Sequence, residues 1–342
     1  MVIVESRMDA LHDRYGRVAR DLRVSLTDRC NLRCSYCMPA EGMQWMPTDK
    51  TLTDDEVIRL CTIGVHRLGI RKIRFTGGEP LLRSGLERII SHVSALRTDL
   101  GTPCEVALTT NALGLTHRAN SLVRAGLTRV NISLDTIDPD HFLQITRRDR
   151  LGDVLAGIDS AHWAGLAPIK VNAVLMRGIN DADAPDLLDF CLDRNIELRI
   201  IEQMPIGPPE VWTRQGLITR DEILGLLSTR HQLSPVEGVP QSSPARLWSI
   251  DGDSSRRVGI IASVSAPFCG SCNRTRLTSD GQIRSCLFST QEFDLRTLMR
   301  GGADDEQLAR EWARAMWMKP AAHGLDGTDF AVPSRTMSAI GG

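Results

Sequence analysis

The chain has 342 residues, enough for one large α/β domain with an appendage, and 41 basic residues balance 42 acidic ones to a net charge of -1. That balance excludes a general nucleic-acid or membrane surface, so a polyanionic ligand must be met by basic residues gathered locally. Nine cysteines, no N-terminal apolar leader and no apolar run near the roughly eighteen residues of a membrane span fit a soluble cytoplasmic protein with reduced thiols.

Residues 1 to about 15, including Ser6, Asp9 and Asp13, lack periodicity and read as a loosely ordered arm. Asp21 to Ser25 alternates as a strand and runs into a loop carrying Cys30, Cys34 and Cys37, spaced C-x3-C-x2-C. Thr53, followed by Asp54, Asp55 and Glu56, caps a helix that runs to Gly69 with Val57, Leu60, Cys61, Gly64 and Leu68 on one face. Strand and helix then alternate: a strand over 72–76, a helix over 85–97, a strand over 105–109, a helix over 117–125 and a strand over 129–134. The last pairs are a helix over 153–164, a strand over 169–175, a helix over 184–194 and a strand over 197–201.

Six strands alternating with helices imply βαβ units, and the pattern predicts an α/β fold with an incomplete (β/α)6 TIM-like barrel over 15–235. Functional loops of such a sheet lie at the carboxyl ends of its strands. The candidate motifs fall there: the first cysteine triad, Gly77-Gly78-Glu79-Pro80, Thr109-Thr110-Asn111, Ser133-Leu134-Asp135 and Glu202-Gln203-Met204-Pro205. A composition change at Ile206-Gly207-Pro208-Pro209 leads past a helix over 219–227 to a C-terminal region, 236–342. There, strands over 246–250 and 258–262 join at Asp251-Gly252-Asp253, a hairpin over 274–279 and 282–287 turns at Asp280-Gly281, and a helix covers 305–318.

Six of the nine cysteines form two triads, while Cys61, Cys104 and Cys191 sit alone in apolar patterns as core residues. The second triad, Cys269, Cys272 and Cys286, is C-x2-C-x13-C, its third member expected on the returning strand of the hairpin. Thiolates suit zinc or iron-sulfur clusters, and closed sites of either kind take four protein ligands. Three leave one position open, where a small molecule can be chelated. A zinc knuckle or ribbon completed by a distant residue is the competing reading of each triad.

The first triad with Gly77-Gly78-Glu79-Pro80 resembles the signature of radical S-adenosylmethionine (SAM) enzymes. Together with the second triad, Asn273-Arg274-Thr275-Arg276 inside it, Arg74-Phe75-Thr76, Lys170-Val171-Asn172, Arg199 to Met204 and the terminal Gly341-Gly342, it resembles the GTP 3′,8-cyclase family of molybdenum cofactor biosynthesis along nearly the whole chain. The resemblance implies two [4Fe-4S] clusters, one on each triad, and SAM on the open iron of the first. It places Tyr36, Gly78, Glu79, Ser133 and Met204 around SAM. GTP, the implied substrate, would meet Arg23, Lys72, Arg74, Thr109, Lys170, Arg199, Arg274, Thr275 and Arg276, with Arg23, Arg274 and Arg276 catalytic. A 5′-deoxyadenosyl radical would take hydrogen from C3′ of GTP, and the substrate radical would attack C8. The resemblance further implies a homodimer, a flavodoxin or ferredoxin as electron donor, and cyclic pyranopterin monophosphate synthase downstream.

Ala112 stands where that family carries Gly after Thr-Thr-Asn, and the 206–209 loop also departs from its pattern. A radical SAM peptide or nucleoside modifier with an auxiliary cluster, and a non-catalytic metal-binding module, are the rival readings. Arg147, Arg148 and Arg150 read as solvated surface charges.

Overall fold

The computed structural model describes residues 10–325, 333 and 335–340. In chain order the elements are β1 (Asp21–Ser25), α1 (Asp54–His66), β2 (Lys72–Thr76), α2 (Leu86–Ala95), β3 (Glu105–Thr110), α3 (Leu115–Arg124), β4 (Arg129–Ser133), α4 (Pro139–Thr146), α5 (Leu151–Trp163), β5 (Ile169–Val174), α6 (Ala184–Asp193) and β6 (Glu197–Ile201). There follow α7 (Arg220–Leu227), β7 (Leu233–Pro235), β8 (Arg246–Ile250), β9 (Asp253–Ile261), β10 (Arg274–Leu277), β11 (Gln282–Arg284), β12 (Phe293–Asp294), α8 (Leu295–Arg300), α9 (Asp305–Trp317) and α10 (Met337–Ile340).

Local chemistry starts the helices where the sequence says it should. Thr53 accepts from the Glu56 N–H while the Glu56 carboxylate accepts from the Thr53 N–H at 2.8 Å, a reciprocal cap that satisfies two N-terminal donors of α1. Thr219 with Glu222, and Asp304 with Gln307, repeat it on α7 and α9. The helix α4 has no counterpart in the sequence reading. Asp138 caps it by accepting from His141 N, with Pro139 at the first helical position, where its missing N–H costs nothing.

All strands join one twelve-stranded sheet in the order β12-β11-β10-β1-β2-β3-β4-β5-β6-β9-β8-β7. The run from β10 through β1 to β6 and on to β9 is parallel throughout. The six expected strands are thus the middle of a longer parallel run, and β9 and β10 add one strand at each end. Partner choice between strands so distant in sequence leaves no mark on periodicity.

The period of two sends alternate residues to opposite faces. Leu22, Val24, Ile73, Phe75, Val106, Leu108, Val130 and Ile132 are buried among the helices, in a core that α1 and α9 also enter. Gly64 of α1 faces the Trp312 ring, where a Cβ would stand in ordinary contact at 3.4 Å. The Trp312 indole in turn donates to Thr275 Oγ1 at 3.0 Å. Residues of the other parity face the concave side, where the site lies.

Candidate active site

A cavity of about 280 Å³ opens at the carboxyl ends of the strands. Arg23, Arg74, Thr76, Thr109, Ser133, Asn172, Val174, Arg199, Ile201, Ile261, Arg274 and Arg276 line it, all of the concave-facing parity. Parallel register does the rest. Arg23 stands beside Arg276 on β10 and beside Arg74 on β2, while Asp21 pairs with Arg274 and Lys72 one layer nearer the strand starts. Three guanidiniums are therefore brought side by side by pleat and register alone.

Such a stack is electrostatically expensive when empty. Burial, then repulsion from other arginines, Arg274 among them, pushes Arg276 down to about 10 and, against the pull of Asp21, Arg74 to about 10; burial with Arg74 and Arg276 holds Arg23 well below its usual range. Asp21 stands against a burial penalty but is held below the usual carboxylate range by Arg23, Arg74 and Arg274. Among the described residues the Nε groups of Arg23, Arg74 and Arg274 are buried with no acceptor. Buried donors left so point to an anionic ligand. Arg199 adds a further guanidinium, paired through Nε with Glu197 at 2.6 Å.

The first triad bounds the same cavity: Cys30, Cys34 and Cys37 all line it. Burial raises their thiols, Cys30 to about 11 and Cys37 to about 12, so an electropositive partner is required to hold them as thiolates. Among the described residues no three His, Cys, Asp or Glu side chains come close enough to hold a single metal ion. Three soft donors spread around one space fit a multi-iron group better than a lone zinc. Asn111 Nδ2 lies 3.9 Å from Cys30 Sγ. Ser338 and Met337 of α10 also line the cavity, so the C-terminal segment reaches the triad. Arg335 anchors it to Asp280 at 2.8 Å and Glu292 at 2.8 Å. Gly341 and Gly342 lie outside the described residues.

Two glycines set how closely the loops pack. Gly77, at φ +147°, and Gly78 lie directly on the triad loop, with Gly78 N donating to Thr27 O and Glu79 N to Arg29 O, both at 2.7 Å. A Cβ on Gly78 would collide with the carbonyl oxygens of Arg29 and Asp28. Gly78→Ala is therefore expected to force the two loops apart and cost about 2 kcal/mol, read as a fall in the urea midpoint. Gly207 plays the same part in the divergent 206–209 loop, where a Cβ would meet the Tyr36 carbonyl. Ala112 adopts φ +65°, the left-handed conformation that a Gly would take at less cost.

Tyr36, Gly78, Ser133 and Met204 line the cavity with the triad. Glu79 is fully buried beside them, accepting from Thr110 Oγ1 at 2.6 Å, Asn111 N at 2.7 Å and Leu81 N at 2.9 Å. Burial outweighs those bonds and raises it to about 7. Lys72, Lys170 and Thr275 stand apart from the cavity wall: Lys72 pairs with Glu105 at 2.8 Å, Lys170 with Glu197 at 2.7 Å, and Thr275 is buried beneath Trp312. In the second triad, Cys286 lies just past β11 in a bend, not on the strand, because β11 ends at Arg284. Cys272 is pulled down to about 7: burial opposes it, but Lys319 and Arg274 favour the thiolate. Phe268 stacks under Arg274, 4.7 Å from its Cζ.

Asp135 and Asn172, named above only as parts of motifs, also stand on the wall. Asp135 accepts from the Tyr36 hydroxyl at 2.9 Å and Val174 N at 2.8 Å, and burial raises it to about 6.

Two family models match the chain: the radical SAM superfamily over residues 24–191 and Molybdenum Cofactor Synthesis C over 196–325. The GTP 3′,8-cyclase of Corynebacterium glutamicum is 56% identical over 336 residues, covering 97% of this chain and 89% of its own. That of Streptomyces coelicolor is 55% identical over 334 residues, covering 97% and 96%. Among solved structures, native anSMEcpe with bound AdoMet superposes with a TM-score of 0.59 at 13% identity, over 89% of this chain and 81% of that one. Streptococcus suis SuiB gives 0.56 at 13% identity, over 90% and 67%. These last two establish a shared fold.

Proposed function

This chain belongs to the GTP 3′,8-cyclase family of radical SAM enzymes, and on that premise we propose that it converts GTP to (8S)-3′,8-cyclo-7,8-dihydro-GTP in molybdenum cofactor biosynthesis. One observation carries the reading: a single cavity is walled by three cluster-type thiols and by a stack of buried guanidiniums, the Nε groups of Arg23, Arg74 and Arg274 having no acceptor among the described residues. The chemistry that a bound [4Fe-4S] cluster and SAM supply is reductive carbon-sulfur cleavage, giving a 5′-deoxyadenosyl radical able to take hydrogen from C3′ of GTP.

In this reading Cys30, Cys34 and Cys37 hold that cluster, Tyr36, Gly78, Ser133 and Met204 shape the SAM pocket, and Glu79 receives the SAM ammonium. Arg23, Arg74, Arg199, Arg274 and Arg276, with Thr109, take the triphosphate and purine. A nucleoside triphosphate carries roughly four negative charges, and guanidinium forks bind them through charge-assisted pairs. Lys72 and Lys170 would join only by leaving Glu105 and Glu197, and Thr275 acts by fixing β10 between the two arginines. Arg23, Arg274 and Arg276 orient the purine for attack at C8 and donate to the charge that develops as the cyclised ring is reduced. The cavity walls keep water from the radicals.

Cys269, Cys272 and Cys286 would hold a second [4Fe-4S] cluster, which guanine would meet. We further propose a division into a radical SAM core over 15–235 and a cluster-binding C-terminal region over 236–342, with residence in the cytoplasm. A homodimer reduced by flavodoxin or ferredoxin and feeding cyclic pyranopterin monophosphate synthase completes the proposal.

The test is anaerobic incubation of reconstituted protein with SAM, dithionite and GTP, followed by mass spectrometry. A product isomeric with GTP alongside 5′-deoxyadenosine is expected. 5′-Deoxyadenosine with unchanged GTP would leave the radical SAM chemistry standing and overturn the substrate.

A further inference from the structure

Lys319 follows α9 and is 2% exposed. Its Nζ donates to Arg274 O at 2.7 Å, Cys272 O at 3.1 Å and Cys272 Sγ at 3.4 Å. An ammonium has three protons, and all three are taken. Among the described residues no carboxylate lies within ion-pair distance of it. The chain has four lysines, and the others are differently placed: Lys50 is exposed, while Lys72 and Lys170 are paired with Glu105 and Glu197.

A buried ammonium without a carboxylate is costly unless some other anion neutralises it. Among the described residues the candidates around Lys319 are sulfurs of the second triad. Its position is also enforced from both sides. Trp312 ties α9 to Thr275, and Arg17, itself buried and paired with Asp13, donates to Cys269 O at 2.7 Å, Pro320 O at 2.6 Å and Ala321 O at 2.9 Å. One guanidinium thus clamps the cysteine loop to the two residues after Lys319.

We propose that Lys319 is a positioning residue for the second triad: its buried ammonium and its N–H to Cys272 Sγ raise the reduction potential of the cluster that the triad would bind. The inference rests on the second-cluster reading above. Positive charge and hydrogen bonds at cluster sulfurs favour the reduced, more negative state. A merely structural tie would be served by the two carbonyl bonds and would leave the potential unmoved.

The experiment is an EPR-monitored redox titration of the reconstituted protein, wild type against Lys319→Met and Lys319→Arg. Methionine keeps the length and removes charge and donors. The expected result is a reduction equilibrium of the second cluster shifted about tenfold toward the oxidised form, 59 mV for one electron, with the first cluster unmoved and arginine restoring most of the shift. Loss of the second cluster alone in Lys319→Met, with the first cluster and circular dichroism intact, also supports the proposal. Unchanged potentials at full iron would overturn it.

A measurement on the wild-type chain covers a variant that does not fold. Lysine labelled with 15N at Nζ should give a 15N hyperfine coupling in the reduced second cluster, and its absence overturns the lysine's role. Wild-type protein that loads only one cluster refutes the second cluster itself, a different outcome from two clusters indifferent to Lys319.

Discussion

Arg276→Ala is expected to lower formation of the cyclised product by about a hundredfold to a thousandfold while iron content and SAM cleavage without GTP stay near wild type. Arg276 is 7% exposed and stands in register with Arg23. Losing its fork removes charge-assisted bonds to the nucleotide and a donor to the reduced ring, together worth about 3–4 kcal/mol. The same change removes one of several buried cations that repel each other. Stabilisation of the variant by added GTP should therefore shrink. Thermal melts with and without GTP, beside product assays, separate these effects. Normal cyclisation in the variant would refute the place given to this residue.

Cys34→Ala is expected to abolish 5′-deoxyadenosine formation altogether, to below detection, and to remove one cluster's iron while the second remains. Cys34 anchors the turn of its loop, its carbonyl accepting from Cys37 N at 2.9 Å and Met38 N at 3.1 Å, so the backbone survives the loss of sulfur. Two remaining thiolates are too few to retain a cluster that already leaves one iron open. Cys61→Ala is the control, since Cys61 is fully buried in the apolar core. It should cost about 1 kcal/mol in stability and no iron. Iron analysis of both variants distinguishes a ligand from a core thiol, and retained SAM cleavage in Cys34→Ala would sink the ligand assignment.

The sheet's middle and the site's main groups were legible because both follow local rules. Alternation, caps such as Thr53 with Glu56, and glycines after strands mark β1 to β6 and their loops; parity then sorts Arg23, Arg74 and Arg199 to one face. The outer strands were not legible as neighbours. Nothing in Arg274 to Leu277 specifies pairing with β1 rather than another strand, and that choice is made by tertiary burial of Thr275 under Trp312. Lys319 was silent for a related reason: a lone lysine after an amphipathic helix looks solvated, and only the docking of α9 buries it. Lys72 illustrates the converse. The family resemblance placed it among the GTP contacts, and at the start of β2 it is half exposed and held by Glu105.

The strands β9 and β10 are close in sequence, yet they sit at opposite ends of the parallel run, on β6 and β1. Until both have been synthesised, a chain emerging from the ribosome presents two open sheet edges, the kind of surface that seeks a stranger's backbone. Residues up to the end of β6 already include the first triad, but they lack Arg274, Arg276 and the strands that complete the wall. A premature stop after β6 would therefore yield an aggregation-prone fragment instead of a smaller working enzyme. The thiols that would start a radical are translated early, while the wall that would contain it is finished last.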